Sequence, residues 1–376
     1  MSSELEIKQC DLKEKLSKYV TNLNLYEMIP SPKNVRYRNN IMFSMGRDSQ
    51  GNIEVGPFES IKSKNISAPK ENKLVSELCI KVCNFVKLYI TNVSHLPVTE
   101  YPSFEGFWRH IHIRQNKENN FIICFRFSNF YSYEKMWKVE RYKFIEYLLY
   151  MPEIQDNKFK LLNISYQICN YKSEPKNDEP YYIIYDKGKL EEKILGNKFI
   201  INSGCFFQVN MYSSKYIYEI VKSLVNKKKD NILFDLCCGI GMYSIILSDS
   251  FNKVIGIDCN SQNIILAKEN LEINNKKNVK FIESRVENCF DDLLQRSHFN
   301  KTIIVNPPRR GLYENVLQTL NNNMESIDEI IYISCCVETL NRDLELMKLK
   351  QKQVKSIIPI NQFPNTDHYE VILKIE

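Results

Sequence analysis

No Cys-x-x-Cys pair occurs in this chain, although it has 12 cysteines, spread from Cys10 to Cys336, and only 5 histidines. Structural zinc and iron–sulfur sites draw on clustered thiols and imidazoles, so no metal is expected. Cys79 and Cys83 lie one helical turn apart, in register with Leu74, Leu78 and Val82, a spacing that reads as core packing. No apolar run approaches the roughly 18–20 residues of a membrane-spanning helix. The opening Met1-Ser2-Ser3-Glu4-Leu5-Glu6 has neither the apolar stretch of a secretory signal nor the Arg-rich, acid-poor character of a transit peptide. A cytoplasmic or nuclear location, away from membranes, is expected. Strong charge of one sign is lacking too: the net charge is +6, and five of those six excess positive charges fall in residues 1–196. That excess fits a polyanion-binding front half without dictating one.

What is present is enough for two cores. The chain has 376 residues, and single cores stop growing at roughly 250–300. In the back half, β-branched apolar runs at 231–237, 253–259, 279–284, 301–306 and 329–334 alternate with helical patterns at 261–274 and 338–348, the signature of a parallel sheet with helical crossovers. Two further runs, 354–360 and 369–375, are joined by a short Pro-containing loop that suits an antiparallel pair. Seven strands ending in a hairpin resemble the Rossmann-like sheet of class I S-adenosyl-L-methionine (SAM) methyltransferases. The front half mixes helical spacing at 74–90 and 135–151 with strand alternation at 107–113 and 121–127 around the polar turn 115–120. It reads as an α+β layer. Residues 170–179 are expected to be an exposed loop. The domain reading is an N-terminal extension at 1–30, with a helix in its first 25 or so residues, an α+β RNA-recognition domain at 31–196 and a methyltransferase domain at 197–376.

Three places carry chemistry. Phe234-Asp235-Leu236-Cys237-Cys238-Gly239-Ile240-Gly241 ends the first parallel strand, and Asp258 ends the second. Glycines let the chain turn tightly against a nucleotide, and an acidic side chain about 20 positions on can accept from ribose hydroxyls. The missing third glycine favours SAM over a dinucleotide. Asn306-Pro307-Pro308-Arg309 closes the fourth strand, where open parallel sheets place their ligands. Asn-Pro-Pro before an aromatic residue marks methyltransferases of exocyclic amines, but Arg309 stands in the aromatic position. Cys335 lies where a strand gives way to a helix, and the helix dipole is expected to lower its thiol pKa. A thiolate added at C6 of a pyrimidine turns C5 into an enolate-like carbon that can take a methyl group from a sulfonium. A base must then remove the C5 proton, and Glu370, at the start of the last strand, is placed for it.

With these motifs the chain resembles the tRNA (uracil-5-)-methyltransferase family, eukaryotic branch, from about residue 31 onward. Ser31-Pro32, Tyr37-Arg38-Asn39 and Phe43 resemble the entry to its RNA-binding domain, and Gly106-Phe107-Trp108-Arg109 its central strand. Phe206-Phe207-Gln208-Val209-Asn210 is similar to a specific family motif whose Gln contacts SAM. The resemblance implies Cys335 as nucleophile and Glu370 as base. It implies Gln208, Asp235, Gly239, Gly241, Asp258 and Asn306 around the cofactor SAM, and Arg38, Phe43, Trp108, Arg109 and Arg309 toward RNA. Its expected product is 5-methyluridine in the thymine loop of tRNA, made by a monomer. Two positions depart from the family: Asn306 replaces the usual Asp before Pro-Pro-Arg, and Cys336-Val337 replaces Asn-Pro after the nucleophile. An amine methyltransferase built on Asn306 and a silent RNA-binding homologue remain as alternatives. Only uridine C5 chemistry requires both Cys335 and Glu370.

Overall fold

The computed structural model describes residues 3–60, 62–171, 179–226, 228, 230–349 and 352–376. Most of the segment expected as an exposed loop, 172–178, lies outside the described residues. The chain divides into two compact units, one of residues 35–192 and 200–211, the other of residues 1–34, 193–199 and 212–376.

The first unit is built on strands β1 (Asn40–Arg47), β2 (Ile53–Gly56), β3 (Trp108–Gln115), β4 (Asn120–Phe127), β5 (Lys160–Ile168) and β6 (Tyr182–Asp186), in the order β2-β1-β3-β4-β5-β6. β4 and β5 run parallel, joined through helix Phe130–Leu149; the other neighbours are antiparallel. The period of two sends Ile41, Phe43 and Met45 of β1 and Ile111 and Ile113 of β3 into one core, shared with Leu78, Val82 and Val86 of helix Glu77–Asn92. Cys79 and Cys83 are fully buried there. Strands β7 (Leu190–Ile194) and β8 (Asn197–Ile201) form a separate two-stranded sheet.

The second unit carries β9 (Asn231–Leu236), β10 (Lys253–Asp258), β11 (Val279–Glu283), β12 (Asn300–Val305), β13 (Glu329–Ser334), β14 (Val354–Ile360) and β15 (Glu370–Ile375). Their order is β11-β10-β9-β12-β13-β15-β14. The first five are parallel, and β15 pairs antiparallel with both β13 and β14, the seven-stranded arrangement expected from the alternation. Buried on both faces, these strands read as near-continuous apolar runs. Helix Glu4–Lys15 adds Leu12, and the residues after it Leu16 and Met28, to this unit's core. Residues 24–29 then run along β14, with Leu25 bridging Ile357 and Ile29 bridging Ile360 in parallel. They satisfy backbone groups that an uncovered edge strand would leave open.

Candidate active site

The glycine turn follows β9 directly. Cys237, Gly239 and Gly241 all take positive φ, at 62°, 55° and 83°, the left-handed region that lets the chain double back before helix Met242–Ile246. No heavy atom lies within 4 Å of where a Cβ on Gly239 would sit, so the turn opens onto free space. A Cβ on Gly241 would lie 2.5 Å from the Phe281 ring, so that glycine serves close packing. Asp258, at the end of β10, accepts from the Gly239 amide at 2.9 Å, the Asn260 amide at 2.9 Å and Asn263 Nδ2 at 3.2 Å. Of the roughly four acceptor positions of a carboxylate, about one stays open for a ribose hydroxyl. An open turn beside a half-buried acceptor fits a nucleoside cofactor. Asp235, by contrast, is fully buried and accepts from Ser244 Oγ at 2.6 Å and the Ser244 amide at 3.0 Å. Burial pushes its carboxyl up to about 7, against the opposing Ser244 bonds.

The register of β13 and β15 assembles the second half of the site. Ser334 pairs with Val371, so one step further along the same antiparallel ladder sets Cys335 beside Glu370. Glu370 is 2% exposed, and burial alone pushes its carboxyl up to about 8. The Cys335 thiol is pushed up to about 11, by burial first and the nearby Glu370 next, with Arg309 pulling it back. This corrects the expected depression by the helix dipole. Cys335 precedes the N-cap, Cys336, of helix Val337–Leu346, and a dipole effect of about 0.3–1 kcal/mol is outweighed by desolvation of a thiolate. Two neighbours that sequence reading missed are the phenols of Tyr218 and Tyr243. Both are buried within electrostatic reach of Glu370 and Asp235, with ring centroids 5.2 Å apart. Their only sequence signal was an apolar helical pattern, which marks burial and not a neighbour.

Asn306 is half-buried at the exit of β12, and Arg309 is exposed. Thr339 Oγ1 lies within hydrogen-bond distance of the Arg309 carbonyl at 3.0 Å and the Cys336 carbonyl at 3.1 Å and shares its one proton between them, tying this loop to the thiol loop. Fully buried Asp343 accepts from the Leu312 amide at 2.8 Å and the Tyr332 hydroxyl at 2.5 Å, fixing the loop's far end. Among the described residues no group of three or more His, Cys, Asp and Glu could hold a metal ion, and no helix is long and apolar enough to cross a membrane.

The residues expected to meet RNA in the front half fare differently. Trp108 has no exposed surface; its ring packs within 5.0 Å of Phe144 and 5.3 Å of Phe127, and its Nε1 donates to Ser94 Oγ at 3.1 Å. Arg109 is 2% exposed, donates to the Cys169 carbonyl at 3.0 Å and lies 4.7 Å over the Phe104 ring. The reason is a register shift between Trp108 and His110 against β4, a bulge that turns Trp108 to the core side instead of the side shared by His110 and His112. Neither side chain is a surface for stacking a base. Phe43 is likewise buried, at 6% exposure. Arg38 is half-buried, its backbone bridging Val75 and Asn210. Gln208 is 3% exposed, and its carbonyl accepts from Asn39 Nδ2 at 3.3 Å.

A parallel five-stranded core with a glycine turn after its central strand and an antiparallel pair at one end defines a SAM-dependent methyltransferase. A solved structure of Pyrococcus abyssi tRNA (uracil-54, C5)-methyltransferase with S-adenosyl-L-homocysteine matches with a TM-score of 0.74 at 25% identity, over 99% of this chain and 82% of that one. An uncharacterised RNA methyltransferase of Caldanaerobacter subterraneus is 27% identical over 92% of this chain and 74% of its own. The tRNA (uracil-5-)-methyltransferase homolog B of Pongo abelii is 25% identical over 93% and 74%. Residues 182–376, more than half of the chain, match the tRNA (uracil-5-)-methyltransferase family. The chain belongs to that family, and its cofactor is SAM.

Proposed function

We propose that this protein methylates C5 of a uridine in tRNA, with the thymine-loop position as the leading target, through a covalent bond between Cys335 and C6. The observation that carries the reading is a thiol and a carboxyl within electrostatic reach of each other, each one residue beyond the Ser334–Val371 pair of β13 and β15, on the sheet that also carries the open glycine turn. The Cys335 thiol loses its proton to solvent, the thiolate adds to C6, and the C5–C6 double bond opens so that C5 becomes the nucleophilic carbon. The Gly239–Gly241 turn, Asp258 and Asn306 would hold SAM, which would supply the methyl group to C5 as its S–CH3 bond breaks to leave S-adenosyl-L-homocysteine. Glu370 takes the C5 proton, and the electron pair released expels the Cys335 thiolate from C6, leaving 5-methyluridine. The target base must leave its stack for both edges to be reached. Arg309, and Arg310 stacked 4.2 Å over Tyr313, are exposed at the same rim and offer phosphate contacts.

Incubation of the protein with unmodified tRNA and SAM, followed by digestion and mass spectrometry of nucleosides, tests the reading. 5-Methyluridine is the expected product. Methylated adenosine or guanosine would replace it with amine chemistry at Asn306, and no methylated nucleoside would point to a silent RNA-binding protein.

A further inference from the structure

The N-terminal helix Glu4–Lys15 carries polar side chains that stability alone does not explain. Asp11 Oδ2 accepts from the Tyr369 hydroxyl at 2.6 Å, and Tyr369 immediately precedes Glu370. Lys15 Nζ lies 2.8 Å from Asp11 Oδ1 and 2.7 Å from Glu338 Oε1. Glu338 in turn accepts from Cys336 Sγ at 3.4 Å, and Cys336 immediately follows Cys335. The relay Tyr369–Asp11–Lys15–Glu338–Cys336 thus joins the neighbours of both reacting residues through one helix. A second anchor lies a turn away: Lys8, 4% exposed, reaches Asn361 Oδ1 at 2.8 Å and the Phe363 carbonyl at 3.2 Å in the loop leading to Glu370. The helix is fixed at its start by a capping box, with Ser3 Oγ accepting from the Glu6 amide at 3.2 Å and the Ser3 amide donating to Glu6 Oε2 at 2.7 Å.

Lys15, Asp11 and Glu338 keep 34%, 38% and 63% of their side-chain surface exposed. Ion pairs this open contribute about 0–1 kcal/mol to stability, yet this one spans two loops that must hold a thiol and a carboxyl in fixed relation. We propose that Asp11 and Lys15 are positioning residues, clamping the Tyr369-Glu370 and Cys335-Cys336 segments against each other. The proposal rests on the covalent mechanism above. Misplacement of a reacting group by about 1 Å can cost on the order of a hundredfold in rate, whereas among the described residues no hydrogen bond or ion pair joins the cofactor turn to this relay, and SAM should bind as before.

The test compares Asp11→Ala, Lys15→Met and Lys15→Arg with wild type and Glu370→Gln. Turnover of tRNA should fall roughly tenfold to a hundredfold in Asp11→Ala and Lys15→Met, with the KM for SAM and the melting temperature nearly unchanged. Lys15→Arg should restore most of the loss. In Asp11→Ala the loosened Glu370 should release product slowly, so protein joined to methylated tRNA should build up as a slow band on a denaturing gel. Wild-type turnover in both variants, or a loss that follows the melting temperature without a band, would overturn the clamp alone, provided Glu370→Gln still traps the adduct. If neither Glu370→Gln nor fluorouracil-containing tRNA gives a band with any form of the protein, the covalent mechanism fails and the clamp with it.

Discussion

A carboxyl buried without a cation beside it prefers to stay protonated, and at Glu370 that preference sets the pH range of the reaction. Its carboxyl is held up to about 8 and the Cys335 thiol up to about 11, and both must lose a proton before they act. The value of kcat/KM, which reports free-enzyme ionisations, should therefore climb through pH 8 with no falling limb from this pair. A profile that is flat from pH 6 to 9 would contradict the burial seen here. The same raised value bears on stability. The neutral form is favoured in the fold, so its contribution is complete below the unfolded carboxyl value and is lost as pH rises through about 8. Glu370→Gln, permanently neutral, should melt close to wild type at pH 5 and higher at pH 9, by on the order of 5 °C. Trp108 makes the opposite point about a single residue. Trp108→Ala should cost about 3–5 kcal/mol by emptying the aromatic core, visible as a lowered melting temperature. RNA affinity lost with full thermal stability would return that ring to the RNA surface.

At the scale of an element, the β9 turn and its partner strand act together. Asp258 holds the Gly239 amide, so Asp258→Ala should both loosen the turn and remove a ribose acceptor. SAM binding measured calorimetrically should weaken at least about tenfold, roughly 1.4 kcal/mol, while tRNA affinity changes little. Equal SAM affinity in variant and wild type would take Asp258 out of the site. Helices and strands of the catalytic sheet were legible in the sequence because β-branched runs and helical spacing alternate with clear breaks. The bulge in β3 was not, since Phe107-Trp108-Arg109-His110 alternates plausibly in either phase and only pairing with β4 selects one.

For the whole molecule, the chain's first residues are part of the catalytic unit and not an appendage to the front one. Leu12 and Leu16 are fully buried in its core, and residues 24–29 cover the β14 edge. Deleting residues 1–29 should lower the melting temperature and promote self-association through the opened edge, which light scattering would register. A monomeric deletion variant as stable as wild type would show that the edge needs no cover.

The sequence by itself determined the class of sheet, the glycine turn, and the candidacy of Cys335 and Glu370, because these rest on local pattern and on residue types with specific chemistry. The tertiary structure brought Cys335 within electrostatic reach of Glu370, next to the end of the antiparallel register of β13 and β15. It also decided that their protonation is governed by burial, and that Trp108 and Arg109 belong to the interior. Burial and register depend on contacts between residues far apart in the chain, as Tyr369 and Asp11 illustrate, and a linear pattern carries no measure of them.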